Sequence, residues 1–148
     1  MKSVQEAQTG ASVVVRAGGK VWLMSLSEPG KRSNGGQFIA EVGPLPLPPA
    51  DRYEFLIAEA HAGSDAMNIP HTHSGPEAWY VLEGKQCVET PDGVKSAGEG
   101  MFEPADTPMR LTIVGTEIRD AFFVVVHDPA LPWNTSSQWQ PKDMCVSR

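Results

Sequence analysis

Two histidines one residue apart, His71 and His73, and the carboxylate Glu77 just beyond them are the residues of this chain best placed to do chemistry. They stand in Pro70-His71-Thr72-His73-Ser74-Gly75-Pro76-Glu77, continued by Ala78-Trp79-Tyr80-Val81-Leu82-Glu83-Gly84. Side chains of an extended segment alternate between faces, so residues i and i+2 share one and the two imidazoles project together. The Ser-Gly-Pro turn lets Glu77 swing round as a third donor. Neutral imidazole with carboxylate oxygen suits iron, manganese, zinc, nickel or copper. Two histidines and one carboxylate with open positions also form the ligand set of many Fe(II) oxygenases. The expected cofactor is one divalent transition metal, acting as Lewis acid or oxygen activator on a small molecule.

The elements that must position these donors read as strands. Thirteen prolines and fourteen glycines punctuate short β-rich runs, and no segment keeps a helical period for ten residues, which predicts an all-β sandwich or barrel. Residues 12–17 and 20–25 pair across Gly18-Gly19 as a hairpin, expected to extend a sheet at the N-terminal side. Gln37 to Val42 reads as a further strand. Four of the seven positions from Gly43 to Pro49 are proline, so that stretch is a connector without ladder donors. A long strand is expected from Arg52 to Ala62, apolar on both faces and covered on both sides. Glu77–Leu82 and Gln86–Thr90 follow, separated by a Gly84 turn; Asp92-Gly93 and Ala97-Gly98-Glu99-Gly100 turn the chain again. Met109, Leu111 and Ile113 share one face of a later strand, and residues 121–126 read as the most buried one. The segment from Asp128 onward, anchored by Trp133 and Trp139, is expected to lie irregularly over the outside.

The spacing His71-x-His73-(x)3-Glu77-(x)6-Gly84 resembles the first motif of the cupin family. The leading glycine of that motif is replaced by Asp65, with Gly63 two residues earlier. The second motif is degenerate: Gly98-(x)5-Pro104 is present, but Asp106 replaces a glycine, Met109 the metal-binding histidine and Ile113 an asparagine. The resemblance implies a double-stranded β-helix, the jelly-roll cupin barrel, with extra N-terminal strands, and a small-molecule site in the barrel mouth. It also implies a homodimer and turns the Met109, Leu111, Ile113 face inward. A thioether is a poor ligand for such cations, so Met109 is read as apolar filler.

Around the three donors, Trp79, Phe102, Met109, Leu111 and Ile113 are candidate walls of an apolar pocket, ordinary core being the alternative. His61 and Glu103 are candidates to support the ligands or, for Glu103, to act as a general base, although a solvent-facing His61 is the plainer reading. His127 reads as a capping or solvent-facing residue. Two cysteines, Cys87 and Cys145, are read first as a buried thiol and an incidental one; the alternatives are a disulfide tying the tail to the barrel, or Cys87 beside the metal.

A chain of 148 residues is expected to form one domain: N-terminal strands and connector over 1–50, core barrel over 51–127, tail over 128–148. The formal charge is −6, with lysines and arginines scattered singly, which excludes a basic stripe for nucleic acid. No apolar run approaches the roughly 20 residues of a membrane span. The opening residues lack the apolar core of a signal peptide, which makes the cytoplasm the default location, with a mature secreted chain as the alternative. Two functions follow from these readings. One is a metal-dependent enzyme, an oxygenase ahead of an isomerase or hydrolase; the other is a non-catalytic cupin module that binds a ligand or a protein.

Overall fold

The computed structural model describes residues 11–33, 35–97 and 100–146. Gly98 and Glu99 of the expected turn, and with Gly98 the start of the degenerate second motif, lie outside the described residues. The chain forms two compact units, Met1–Ala40 and Glu41–Arg148. Among the described residues there are eleven strands and no helix.

In the first unit β1 (Ala11–Ala17) and β2 (Lys20–Leu26) form the expected hairpin. Its turn residues Gly18 and Gly19 have φ of 55° and 69°, the left-handed pair that matches the twist of a two-residue hairpin. The two strands pair with each other as a sheet of their own and extend no larger one among the described residues. Phe38 lies under the Arg32 guanidinium, 3.8 Å from its ring centre. The strand expected over 37–42 does not form: β-branched and aromatic residues make a strand only where a neighbour completes the ladder, and this run has none.

The second unit carries β3 (Glu54–Ala62), β4 (His71–His73), β5 (Glu77–Glu83), β6 (Lys85–Thr90), β7 (Gly93–Ala97), β8 (Met101–Glu103), β9 (Arg110–Val114), β10 (Arg119–His127) and β11 (Asn134–Ser136). Their antiparallel pairing is nested. β6 pairs β7 around the Asp92-Gly93 turn, β5 pairs β8, β4 meets the residue just before β9 through the His71–Met109 bridge, and β3 pairs β10. A single long hairpin coiled on itself gives this order, with β10 also paired to β5 and β6 to β9 from one turn to the next. That is a double-stranded β-helix.

Register decides what faces in. Ala58, Ala60 and Ala62 of β3 stand opposite Phe123, Ala121 and Arg119 of β10, and Trp79 and Glu77 of β5 stand opposite Phe123 and Val125. All these side chains share the inner face, where Trp79, Val88 and Met109 form the buried core. Small alanines on β3 leave room within the barrel.

The tail departs from the sequence reading. Asn134–Ser136 is a strand paired with β4, so it flanks the donor segment instead of lying outside the barrel. Beyond it the chain crosses the outer face of β6 and β9. There the Lys142 backbone N–H donates to Glu89, Asp143 pairs with Arg110 at 2.8 Å, and Cys145 is bonded to Cys87. The reading of two free thiols is thereby corrected. Cys87 stands opposite Thr112, one residue out of phase with the inward Val88, so it faces the tail and not His71, His73 and Glu77.

Candidate metal centre

β4 is only three residues long, yet both neighbours are fixed by hydrogen bonds. On one side β11 pairs with it; on the other the His71 and Met109 backbones exchange bonds of 3.0 and 2.9 Å. The turn that follows packs so closely on β10 that a Cβ on Gly75 would lie 1.8 Å from the Val126 carbonyl oxygen. Only glycine permits that approach, and it brings Glu77 back to the histidines.

His71, His73 and Glu77 are all buried, and their nearest donor atoms lie within 4.8 Å of one another. His71 Nδ1 donates to the Ile69 carbonyl at 2.9 Å and His73 Nδ1 to the Trp133 carbonyl at 2.8 Å. A carbonyl only accepts, so the proton of each neutral ring sits on Nδ1 and the Nε2 lone pair is free. His73 Nε2 lies 3.0 Å from Glu77 Oε2, and neither atom has a geometrically satisfactory hydrogen bond. Two buried acceptors facing each other repel unless a proton or a cation lies between them. Their separation is that of adjacent ligands on one ion with bonds of about 2.1 Å. The residues fit a metal ion.

Electrostatics divide the two rings. Burial pulls His71 below its ordinary value, with the neighbouring His73 charge acting the same way, against the Ile69 carbonyl. Burial also pulls on His73, but the Glu77 carboxylate 3.0 Å away, with the Trp133 carbonyl, carries it above its ordinary value. The rings meet edge to face at 4.8 Å, and Trp133 stacks on His73 at 5.5 Å.

Above the donors lies a cavity of about 320 Å³, at the small end of ligand pockets. Trp79, Leu111, Ile113, Phe123 and Trp133 supply its apolar walls with the small Ala60 and Ala62, and Arg119 its single cation. Of the expected wall residues, Trp79, Leu111 and Ile113 are there. Phe102 and Met109 are not: Phe102 stands opposite Ala78, out of phase with the inward Trp79, and Met109 is consumed in the packed core.

His61 and Glu103 are also placed elsewhere. His61 is in register with Asp120 on the outer face, 3.3 Å from its carboxylate, and largely exposed. Glu103 is buried opposite Glu77, but its carboxylate is held by Lys95 at 2.8 Å. His127 is buried and donates to the Asp128 carbonyl at 3.0 Å, which corrects its expected solvent-facing position.

Trp133 and Arg119 were missed. The first is 60 residues from the histidine it orients; the second was a lone cation ahead of an apolar strand. The one available signal was Gly84, whose φ is 73° and on which a Cβ would lie 2.8 Å from the Arg119 Cα. The motif glycine thus seats the strand that carries the cation.

Comparison with known proteins adds the following. No family model matches the chain, and no curated protein does. Solved structures do. A cupin superfamily protein from Desulfitobacterium hafniense is 14% identical with a TM-score of 0.46, over 62% of this chain and 84% of its own. An uncharacterised double-stranded β-helix protein from Klebsiella pneumoniae is 15% identical with a TM-score of 0.48, over 94% and 92%. The DMSP lyase DddQ from Ruegeria pomeroyi is 12% identical with a TM-score of 0.49, over 58% and 45%, so this chain spans less than half of it. The fold is a double-stranded β-helix. Likenesses at this level carry no argument about activity, and the assignment of the barrel rests on its nested strand pairing.

Proposed function

We propose that this cupin barrel holds one divalent transition-metal ion on His71, His73 and Glu77 and uses it to transform a small organic molecule bound in the cavity, by oxygenation ahead of isomerisation or hydrolysis. One observation carries the reading: two buried imidazoles have their Nδ1 protons committed to backbone carbonyls, which leaves Nε2 of His73 against an unsatisfied Glu77 oxygen. When bound, the ion supplies Lewis-acid or oxygen-activating chemistry at its open positions. The chain's own part is to hold the ring tautomers through Ile69 and Trp133, to keep water from the donors with the aromatic walls, and to orient the bound molecule.

A second reading, a metal-free ligand-binding module, has its own support. With His73 raised above its ordinary value beside Glu77, a protonated imidazole satisfies the carboxylate without an ion. Elemental analysis of protein purified without chelator, beside His71→Ala, separates the two. Near-stoichiometric metal that disappears in the variant supports the enzyme, and none after loading with divalent ions supports the module. The Cys87–Cys145 disulfide supports an oxidising compartment over the cytoplasmic default. The homodimer implied by the family resemblance stays a proposal, checked by sedimentation.

A further inference from the structure

Arg119 is 3% exposed at the start of β10 and lines the cavity, yet its Nε and Nη2 are buried with no hydrogen-bond partner. Leaving guanidinium donors unmade inside a protein is costly, and the groups near it do not remove the cost. Glu77 and Asp120 act on it through charge, but neither accepts a bond from these two atoms. Asp120 lies on the opposite face of β10, turned to His61, and Glu77 is turned to His73. The backbone holds Arg119 in place, since β3 pairs with it at Ala62 and Gly84 packs against its Cα.

We infer that Arg119 is a carboxylate-binding residue, and that the cavity takes a small monocarboxylic acid with an apolar or aromatic body. Arginine presents a planar pair of N–H donors that a carboxylate oxygen pair satisfies. The walls beyond it, Trp79, Phe123 and Trp133 with Leu111 and Ile113, match an apolar body, and Asn68 and Asn134 are the only neutral amide side chains among the lining residues. A phosphate dianion would call for further cations, and Arg119 is the only one among the residues lining the cavity. The inference rests on the proposed metal reading for its chemistry: a divalent ion with Arg119 and Glu77 sums to a net charge of +2, which favours an anionic ligand with oxygen donors. Recognition by Arg119 itself needs no ion.

The test is calorimetric titration with benzoate, its neutral counterpart benzamide and inorganic phosphate, on chelator-treated and zinc-loaded protein, for wild type, Arg119→Met and Arg119→Lys. Benzoate is expected to bind wild type at least about tenfold more tightly than benzamide. That preference should vanish in Arg119→Met and survive in part in Arg119→Lys. Equal binding of acid and amide, undiminished benzoate binding in Arg119→Met, or phosphate binding as well as benzoate each overturns it. Should Arg119→Met fail to fold, the acid-to-amide ratio of wild type decides alone. Zinc stoichiometry read in the same titrations keeps the two ideas apart. Loss of zinc binding with benzoate preference intact sinks the metal reading only; the reverse sinks the role of Arg119 only.

Discussion

Among the described residues two groups of histidine and carboxylate bring three donor atoms within 4.8 Å of one another, and they differ in what surrounds them. His71, His73 and Glu77 are buried; Glu59, His61 and Asp120 lie on the outer face of the same sheet system. In the buried group His73 and Glu77 side chains are 2% and 7% exposed, against 60%, 28% and 18% for His61, Glu59 and Asp120. Water reaches His61 and part of Glu59, so their pair contributes little; Asp120 Oδ1 is buried without a hydrogen bond, but the imidazole facing it at 3.3 Å is largely in water. The inner group has lost water, and backbone carbonyls fix which ring nitrogens remain free. Residue type and distance do not make a site; desolvation with committed tautomers does.

The largest effect that should separate the groups is metal loss. His71→Ala or His73→Ala is expected to weaken divalent metal binding by more than about 100-fold, beyond what loss of a supporting partner costs, with the strand circular dichroism unchanged. Metal content equal to wild type in either variant would break the contrast. Met109→His sharpens it from the other side. Met109 exchanges backbone bonds with His71, so across this bridge their side chains stand on the same face. A third imidazole there, the fourth donor of the set, should tighten binding by about tenfold, and no gain would mean that position 109 cannot reach the ion.

Stability should respond elsewhere. Cys145→Ser is expected to cost about 2–4 kcal/mol by freeing a long loop in the unfolded chain, read as a lower denaturation midpoint. It should leave metal content intact, because Cys87 faces the tail across the sheet from His71, His73 and Glu77. Metal loss in this variant would show that the tail helps to form the inner group.

Acid should act on the two rings in opposite senses in the metal-free protein. His73 is raised above its unfolded value of about 6.5. Its stabilising contribution is therefore complete below that value and is lost as pH rises through the folded one. His71 is lowered, so its contribution is present above 6.5 and is lost as pH falls toward its folded value. Metal needs both rings deprotonated, so affinity should fall as pH drops through the His73 transition. Imidazole NMR titrations check the order; a His71 that titrates above His73 would contradict it.

How much of this was legible follows from range. His71, His73 and Glu77 are local, and alternation with a Ser-Gly-Pro turn was enough to bring them together. The turns at Gly18-Gly19, Gly84 and Asp92-Gly93 were legible for the same reason. What depended on distant pairing was not. The carbonyl that orients His73 belongs to Trp133, and a run rich in proline and serine gave no sign that β11 would form beside β4. The phase of Cys87 hung on one residue of register after Gly84, which side-chain pattern alone does not set. Gln37–Val42 had the composition of a strand without a neighbour to pair with.

The smallest expected effect is the one that the exposed group should give. Glu59→Gln and His61→Ala remove groups at 3.6 Å from each other, His61 being largely in water, where ion pairs are screened and mobile. Each change is expected to shift stability by no more than about 0.5 kcal/mol and to leave metal stoichiometry at the wild-type value. Metal content is the sharper reading, because a stability change this small is easily matched by unrelated surface effects. A fall in bound metal in either variant, with His71 and His73 untouched, would mean that the outer group holds an ion of its own and that burial is not what distinguishes the two.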